Sequence, residues 1–357
     1  MEIEDKTGKQ ETLEYDSLIL ATGSKTFVPP VKGIDKEGVY ALYTIEEGKM
    51  IEQAIKKAKS AVVIGSGFLG LEAAVALTEQ GVKTTVVEML SYILPRMLDQ
   101  DMTQEVQGRL EEKGLRIIVG HAAEEVLGNG RVRGVSVAGE EIPADLVINA
   151  AGVRPTTELA QQAGIVIGET RGIKTNIRMQ TSVKDVYAAG DCAETIHMVT
   201  QGPALPALGT TAVRQGRVAG TNAAGGYALY PGCLMSAVSQ MFDFEVGATG
   251  LTEFWAARYG IDLLVGRITG HTRATYYPGA LPIRVKLLVE KETKRVVGGQ
   301  IVGGEDVTQR INALSLAIQK QMTIYELVRA DTCYAPSVCE TWEPIVLAAE
   351  NVLMRLR

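Results

Sequence analysis

Cysteine and histidine are scarce in this chain, with four and three copies in 357 residues. No two cysteines form a C-x-x-C pair and no histidine spacing suits a zinc ligand set, so no metal site is expected. The four thiols, Cys192, Cys233, Cys333 and Cys339, are read as reduced and mostly packed, as in a reducing compartment. Basic blocks interleaved with aromatics are also lacking. Aromatics make up 5% of the chain, and 36 Lys and Arg against 42 Asp and Glu leave a net charge of −6, which argues against a nucleic-acid partner. No apolar run reaches the length of a membrane span, and residues 1–20 carry no signal-peptide pattern. The expectation is a cytoplasmic protein with no membrane partner.

Glycine, by contrast, is abundant at 38 residues, and many glycines fall at strand ends. The length suits two or three domains with real cores. The most informative stretch is 61–88. Residues 61–64 form a short β-rich apolar run, followed at once by Gly65, Gly67 and Gly70 in the spacing G-x-G-x-x-G. A helix is predicted over 69–80, closed by Gly81, and a second strand over 84–87 that ends at Glu88. This is a complete βαβ unit. Gly65 permits the tight turn, Gly67 leaves room for a pyrophosphate and Gly70 allows close helix–strand packing, with the helix N-terminus facing the phosphates. A carboxylate at Glu88 suits a ribose hydroxyl and repels a 2′-phosphate, which favours NADH over NADPH.

Along the rest of the chain, residues 1–12 read as a strand or hairpin edge and 46–59 as a helix with Lys56, Lys57 and Lys59 on a solvated face. A helix over 99–113 and strands over 116–119, 132–137 and 146–149 follow. Two apolar strands end in small residues, a glycine and a nearby proline: one at Ala21-Thr22-Gly23-Ser24 and one at Ala151-Gly152-Val153-Arg154-Pro155. A third strand ends in Gly190-Asp191, and a helix follows over 208–224 with Arg214 and Arg217 on its polar side. From about 232 the pattern changes to strand-like alternation over 236–250, 261–270 and 281–304, with helices over 309–320 and 343–353, as in a separate α+β domain.

Taken in order, the segment from Tyr15 to Ser24, the glycine fingerprint with Gly70-Leu71-Glu72, the Gly152–Pro155 run and Tyr187-Ala188-Ala189-Gly190-Asp191 resemble the FAD-dependent pyridine nucleotide–disulfide oxidoreductases. Phe242 through Glu253, Tyr276-Tyr277-Pro278-Gly279 and Tyr334-Ala335-Pro336 resemble the dimerisation domain of the coenzyme A-disulfide reductase, NADH oxidase and polysulfide reductase branch. The resemblance implies an α/β fold: a doubly wound Rossmann-like NAD domain (35–154) inserted in an FAD domain (1–34 and 155–228), then an α+β dimerisation domain (229–357). It implies that Ala21, Thr22, Gly23, Gly190 and Asp191 lie along FAD, with Asp191 on the ribityl chain, and that Leu208, Gly209, Thr210, Thr211 and Ala212 pass the flavin ring. It assigns Gly65, Gly67, Gly70 and Glu88 to NADH, Glu72 and Gly152 to the nicotinamide end, and Tyr334 to the partner's active site across a homodimer. Electrons would pass from NADH through FAD to a disulfide, a polysulfide or dioxygen.

The sequence also departs from the family pattern. Members open with their own glycine-turn unit for the FAD pyrophosphate and then present a redox cysteine, and neither is found here. Weak or absent FAD binding and an incomplete disulfide-reductase cycle are therefore expected. Cys192 and Cys333 are read as packed thiols, and His197 and His271 as structural or exposed. Two further readings stay open: a dimeric NADH-binding protein without chemistry, and a ferredoxin or rubredoxin reductase relative. Tyr334-Ala335-Pro336 and the long final domain argue against the second.

Overall fold

The strand Ser60–Ile64 decides the layers around it. In the computed structural model, which describes residues 2–4 and 6–356, it is the central strand of a five-stranded parallel sheet. The order is Val39–Ala41, Leu146–Asn149, Ser60–Ile64, Lys83–Glu88, Arg116–Val119. Strand side chains alternate between faces. Ala61 and Val63, with Val86, Leu146 and Ile148, pack on the helices Phe68–Glu79 and Gln100–Glu112 through Leu71, Ala74, Met102 and Val106. Val62 and Ile64, with Val87 and Val147, pack instead on Val126, Val135 and Ile142. Those three residues belong to an antiparallel meander of Ala123–Leu127, Gly134–Val137 and Glu140–Pro143. The α/β class is as expected, with this meander as the layer opposite the helices. Only its middle strand was legible, because the outer two are glutamate-rich and flanked by Gly128, Gly130 and Gly139.

The helix-side core continues into the C-terminal sheet through Met241, Phe244, Val246, Ala248 and Val302. That sheet is antiparallel, in the order Ala237–Met241, Phe244–Gly250, Val296–Gly303, Pro282–Glu290, Leu263–His271. Val296–Gly303 is buried at every position, with the helix Val307–Gln319 packed on it and the helix Pro344–Met354 packed on Leu263–His271. Because one core spans both parts, Thr26–Gly152 and Leu234–Arg357 form a single compact unit. The chain therefore divides at 25/26, 152/153 and 233/234, where the sequence reading placed divisions at 34/35, 154/155 and 228/229.

The second unit comprises Met1–Lys25 and Val153–Cys233. Its core is a parallel pair, Leu18–Leu20 with Val186–Ala188, against which the helix Gly209–Ala223 places Val218 and Ala219. A hairpin of Glu2–Glu4 and Gln10–Thr12 occupies the segment read as a hairpin edge, of which Met1 and Asp5 lie outside the described residues. Among the described residues no helix is long and apolar enough to cross a membrane.

Candidate functional site

The three fingerprint glycines occupy three different environments. Gly65 has φ +106°, and a Cβ there would meet the Ala150 carbonyl oxygen at 2.4 Å. A Cβ at Gly70 would meet the Gly65 oxygen at 2.2 Å, so helix and strand approach each other as closely as the spacing predicts. Around Gly67 the space is open. Gly67 is the N-cap of Phe68–Glu79, has no side chain to cap the helix, and no acidic residue follows in the first turn. The result is an uncovered helix N-terminus at the carboxyl end of a parallel strand, the arrangement that accepts a phosphate. Gly152 (φ +105°) lies just beyond the end of the neighbouring strand Leu146–Asn149, again with open space around it.

Glu88 closes this site from the next strand. It is buried, and Oε2 accepts the Ser66 N–H at 3.0 Å and the Ser66 hydroxyl at 2.7 Å, while Oε1 accepts the Leu90 N–H at 2.9 Å. Each carboxylate oxygen offers two lone pairs, so Oε1 keeps one for a ligand hydroxyl. Glu72, expected at the nicotinamide end, is exposed and accepts the Ser239 hydroxyl at 2.7 Å from the strand Ala237–Met241.

In the other unit, a cavity of about 290 Å³ is lined by Ala21, Gly23, Ala189, Gly190, Asp191, Ala212 and Gly216. Five of these were expected along a flavin nucleotide. Asp191 Oδ2 accepts the Ser24 hydroxyl at 2.9 Å. The Gly190 N–H donates to Gln215 Oε1 at 2.9 Å, which fixes the amide of a fully buried side chain whose Nε2 has no partner. The helix Gly209–Ala223 begins at Leu208 with no side-chain cap. Small lining residues, an uncapped helix start and the Asp191 carboxylate fit one part of a large, hydrogen-bonding cofactor such as FAD.

Residues 1–216 match the sequence profile of the pyridine nucleotide-disulphide oxidoreductase family, and residues 237–345 match that of its dimerisation domain. The chain belongs to this family. It is 45% identical to an NADH oxidase of Methanocaldococcus jannaschii over 99% of this chain and 79% of that protein. It is 36% identical to a CoA-dependent NAD(P)H sulfur oxidoreductase of Pyrococcus abyssi over 97% of this chain and 78% of that one. Among solved structures it resembles an NAD-dependent persulfide reductase from A. fulgidus, with a TM-score of 0.96 and 39% identity. That match covers 99% of this chain and 66% of the solved one, so this chain spans just under two thirds of its length.

Within this family frame, not every expected contact residue faces the cavity. The Thr22 hydroxyl donates to the Thr156 carbonyl, and Thr211 is buried with its side chain hydrogen-bonded to Tyr230. Gly209 and Thr210 are exposed in the first turn of the helix. Tyr334 is half-exposed, and its hydroxyl pairs with that of Tyr276 at 2.8 Å. The contacts of Tyr276 with Tyr334 and of Gln215 with Gly190 were not foreseen, because no spacing in the sequence pairs residues so far apart. Cys192 is packed as expected, its thiol 3.3 Å from the Ala189 carbonyl. Cys333 is not: it is exposed on an irregular segment where no strand or helix covers it. His271 is exposed, whereas His197 is buried, and burial lowers its pKa from 6.5 to about 4. The neutral Nδ1 accepts the Val199 N–H at 3.3 Å, a turn-capping contact rather than a general base facing a cleft.

Proposed function

We propose that the chain is an NADH-dependent flavoprotein oxidoreductase of the NADH oxidase and coenzyme A-disulfide or polysulfide reductase type. The observation that carries this reading is the Glu88–Ser66 contact behind an open glycine turn. The Gly67 helix terminus would hold the pyrophosphate, Glu88 Oε1 the adenosine ribose, and Gly152 the nicotinamide end by its backbone. Glu88 stands where the 2′-phosphate of NADPH would lie, which favours NADH. Ala21, Gly23, Gly190, Asp191 and Ala212 would hold FAD. When bound, FAD supplies the hydride acceptor that relays electrons onward. Asp191 would take a polyol hydroxyl, and the helix starting at Gly209 would present its N–H groups to the flavin ring. A cavity of about 290 Å³ holds only part of a dinucleotide. Weak FAD binding by this chain is part of this proposal.

The acceptor is a disulfide, a polysulfide or dioxygen: the relatives named sulfur oxidoreductase and persulfide reductase support a sulfur acceptor, and the one named NADH oxidase supports an oxidase reaction. The dimerisation-domain match supports a homodimer, and Tyr334 would serve the partner's site in it. A cytoplasmic setting suits the packed thiol of Cys192.

A visible spectrum of the purified protein with added FAD, then NADH under anaerobic conditions, tests the reading. The expected result is a flavin band at high FAD that bleaches on NADH addition, with NADH binding seen separately by fluorescence. NADH binding with no flavin band at any FAD concentration supports a nucleotide-binding dimer without chemistry. No NADH binding sinks the proposal.

A further inference from the structure

Residues 331–343 run without a helix or strand before the helix Pro344–Met354 and carry two of the four cysteines, Cys333 exposed and Cys339 half-buried. The segment folds back on itself: the N–H groups of Val338 and Cys339 both donate to the Ala335 carbonyl, at 2.9 and 2.8 Å. The Cys339 sulfur accepts the Ala335 N–H at 3.1 Å, and its thiol donates to the Cys333 carbonyl at 3.4 Å. Bonds of about 1.2 and 1.5 Å separate that oxygen from the Cys333 Cα, so the Cys339 sulfur lies on the order of 6 Å or less from it. Rotation of the exposed Cys333 side chain about χ1 can then swing its sulfur toward that of Cys339.

We propose that Cys333 and Cys339 form a reversible dithiol–disulfide pair that exchanges with small-molecule disulfides. The Cys333 thiolate, the accessible one, attacks one sulfur of R–S–S–R. The external S–S bond breaks, a Cys333–S–S–R bond forms and one RS⁻ leaves. The Cys339 thiolate then attacks the Cys333 sulfur, closing the Cys333–Cys339 bond and expelling the second RS⁻. The protein loses two thiol protons and two electrons, and the disulfide gains both as two RSH. The closed ring encloses Tyr334, whose hydroxyl meets that of Tyr276, so the redox state of the pair sets the freedom of that tyrosine. This exchange is independent of flavin and nicotinamide and does not rest on the function proposed above.

The test uses the full chain, reduced, desalted and treated with a symmetric dialkyl disulfide, then alkylated in denaturant and analysed by mass spectrometry. Four alkylated cysteines are expected before treatment and two after it. The tryptic peptide 330–355 should be lighter by two hydrogens, should stay joined after cleavage following Tyr334, and should revert with dithiothreitol. Cys339→Ser should trap the adduct on Cys333, and Cys333→Ser should abolish closure. A wild-type protein that keeps a stable adduct on Cys333 while Cys339 is still alkylated overturns the pair. So does a lost signal that maps to Cys192 or Cys233, or a cross-link between two chains.

Discussion

The Glu88 carboxylate holds Ser66 by both its backbone N–H, at 3.0 Å, and its hydroxyl, at 2.7 Å. Ser66 sits between Gly65 and Gly67, so an acid on the second strand of the βαβ unit fixes the glycine turn of the first. Glycine turns are conformationally permissive. Tying this one to a buried carboxylate gives the N–H groups proposed to hold the phosphate a set orientation before a ligand arrives, which lowers the ordering cost of binding.

Glu88→Ala removes the latch and leaves the buried Ser66 N–H without an acceptor. A lost charge-assisted acceptor at a buried donor is worth about 1–3 kcal/mol. NADH affinity should fall by roughly 10- to 100-fold by fluorescence titration, with a smaller loss for NADPH, whose 2′-phosphate no longer meets the carboxylate. Equal losses for both nucleotides would remove Glu88 from the choice between them.

Most of this site was legible because its constraints are local. Gly65, Gly67, Gly70 and Glu88 lie within one βαβ unit, where spacing alone implies geometry. The contacts of Glu72 with Ser239 and of Gly190 with Gln215 join residues far apart in sequence, and no periodicity announces them. The shared core of the glycine-turn part and the C-terminal sheet was hidden for the same reason. Phe244 and Val246 look like ordinary strand residues until the helix Gln100–Glu112 is seen against them.

That junction carries a second set of contacts unforeseen from sequence. Lys286 is fully buried, with Nζ 2.9 Å from Asp99, 2.6 Å from Asp101 and 3.0 Å from Glu253. Asp99 precedes the helix Gln100–Glu112 and spends its carboxylate on Lys286, Gln300 and the Glu253 N–H rather than on capping that helix. Lys286→Met leaves three carboxylates facing one another with only Arg267 to offset them. Breaking such a buried set costs about 3–5 kcal/mol, whereas the exposed Arg131–Glu37 pair is worth at most about 1 kcal/mol. Urea unfolding should show a large drop in midpoint for Lys286→Met and almost none for Arg131→Met. Comparable effects would mean that the buried Lys286 cluster contributes no more than a surface contact.

Behind the cavity proposed for FAD, Gln215 is the sharper probe. Its carbonyl holds the N–H of Gly190 in the cavity wall, while its Nε2 is buried behind that wall with no partner. Gln215→Glu keeps the acceptor and the shape but replaces that donor with an oxygen. FAD affinity, read from the visible band, should fall at least about tenfold, a loss on the order of 1.4 kcal/mol, while the NADH fluorescence titration stays unchanged. Unchanged FAD binding would show that the Gln215–Gly190 contact does not set the cavity wall for the cofactor.

His197 gives a pH signature of its own. Burial holds its pKa at about 4 in the folded chain, against 6.5 for the free side chain. The unfolded chain therefore takes up the proton first as pH drops. The stabilisation from keeping His197 neutral is complete above 6.5 and is lost progressively between 6.5 and 4, amounting to about 2 kcal/mol by pH 5. Asp101 works in a lower window. Burial pushes its carboxyl up, but hydrogen bonds from Lys286 and Arg267 outweigh that and hold it below 3.8, so its contribution fades only under more acidic conditions. Urea unfolding at pH 7.5 and pH 5 separates the two groups. The wild type should lose stability between these values, and His197→Asn, which keeps an acceptor near the Nδ1 position for the Val199 N–H, should lose much less. A variant that loses as much as the wild type would show that the acid sensitivity above pH 5 lies elsewhere in the chain.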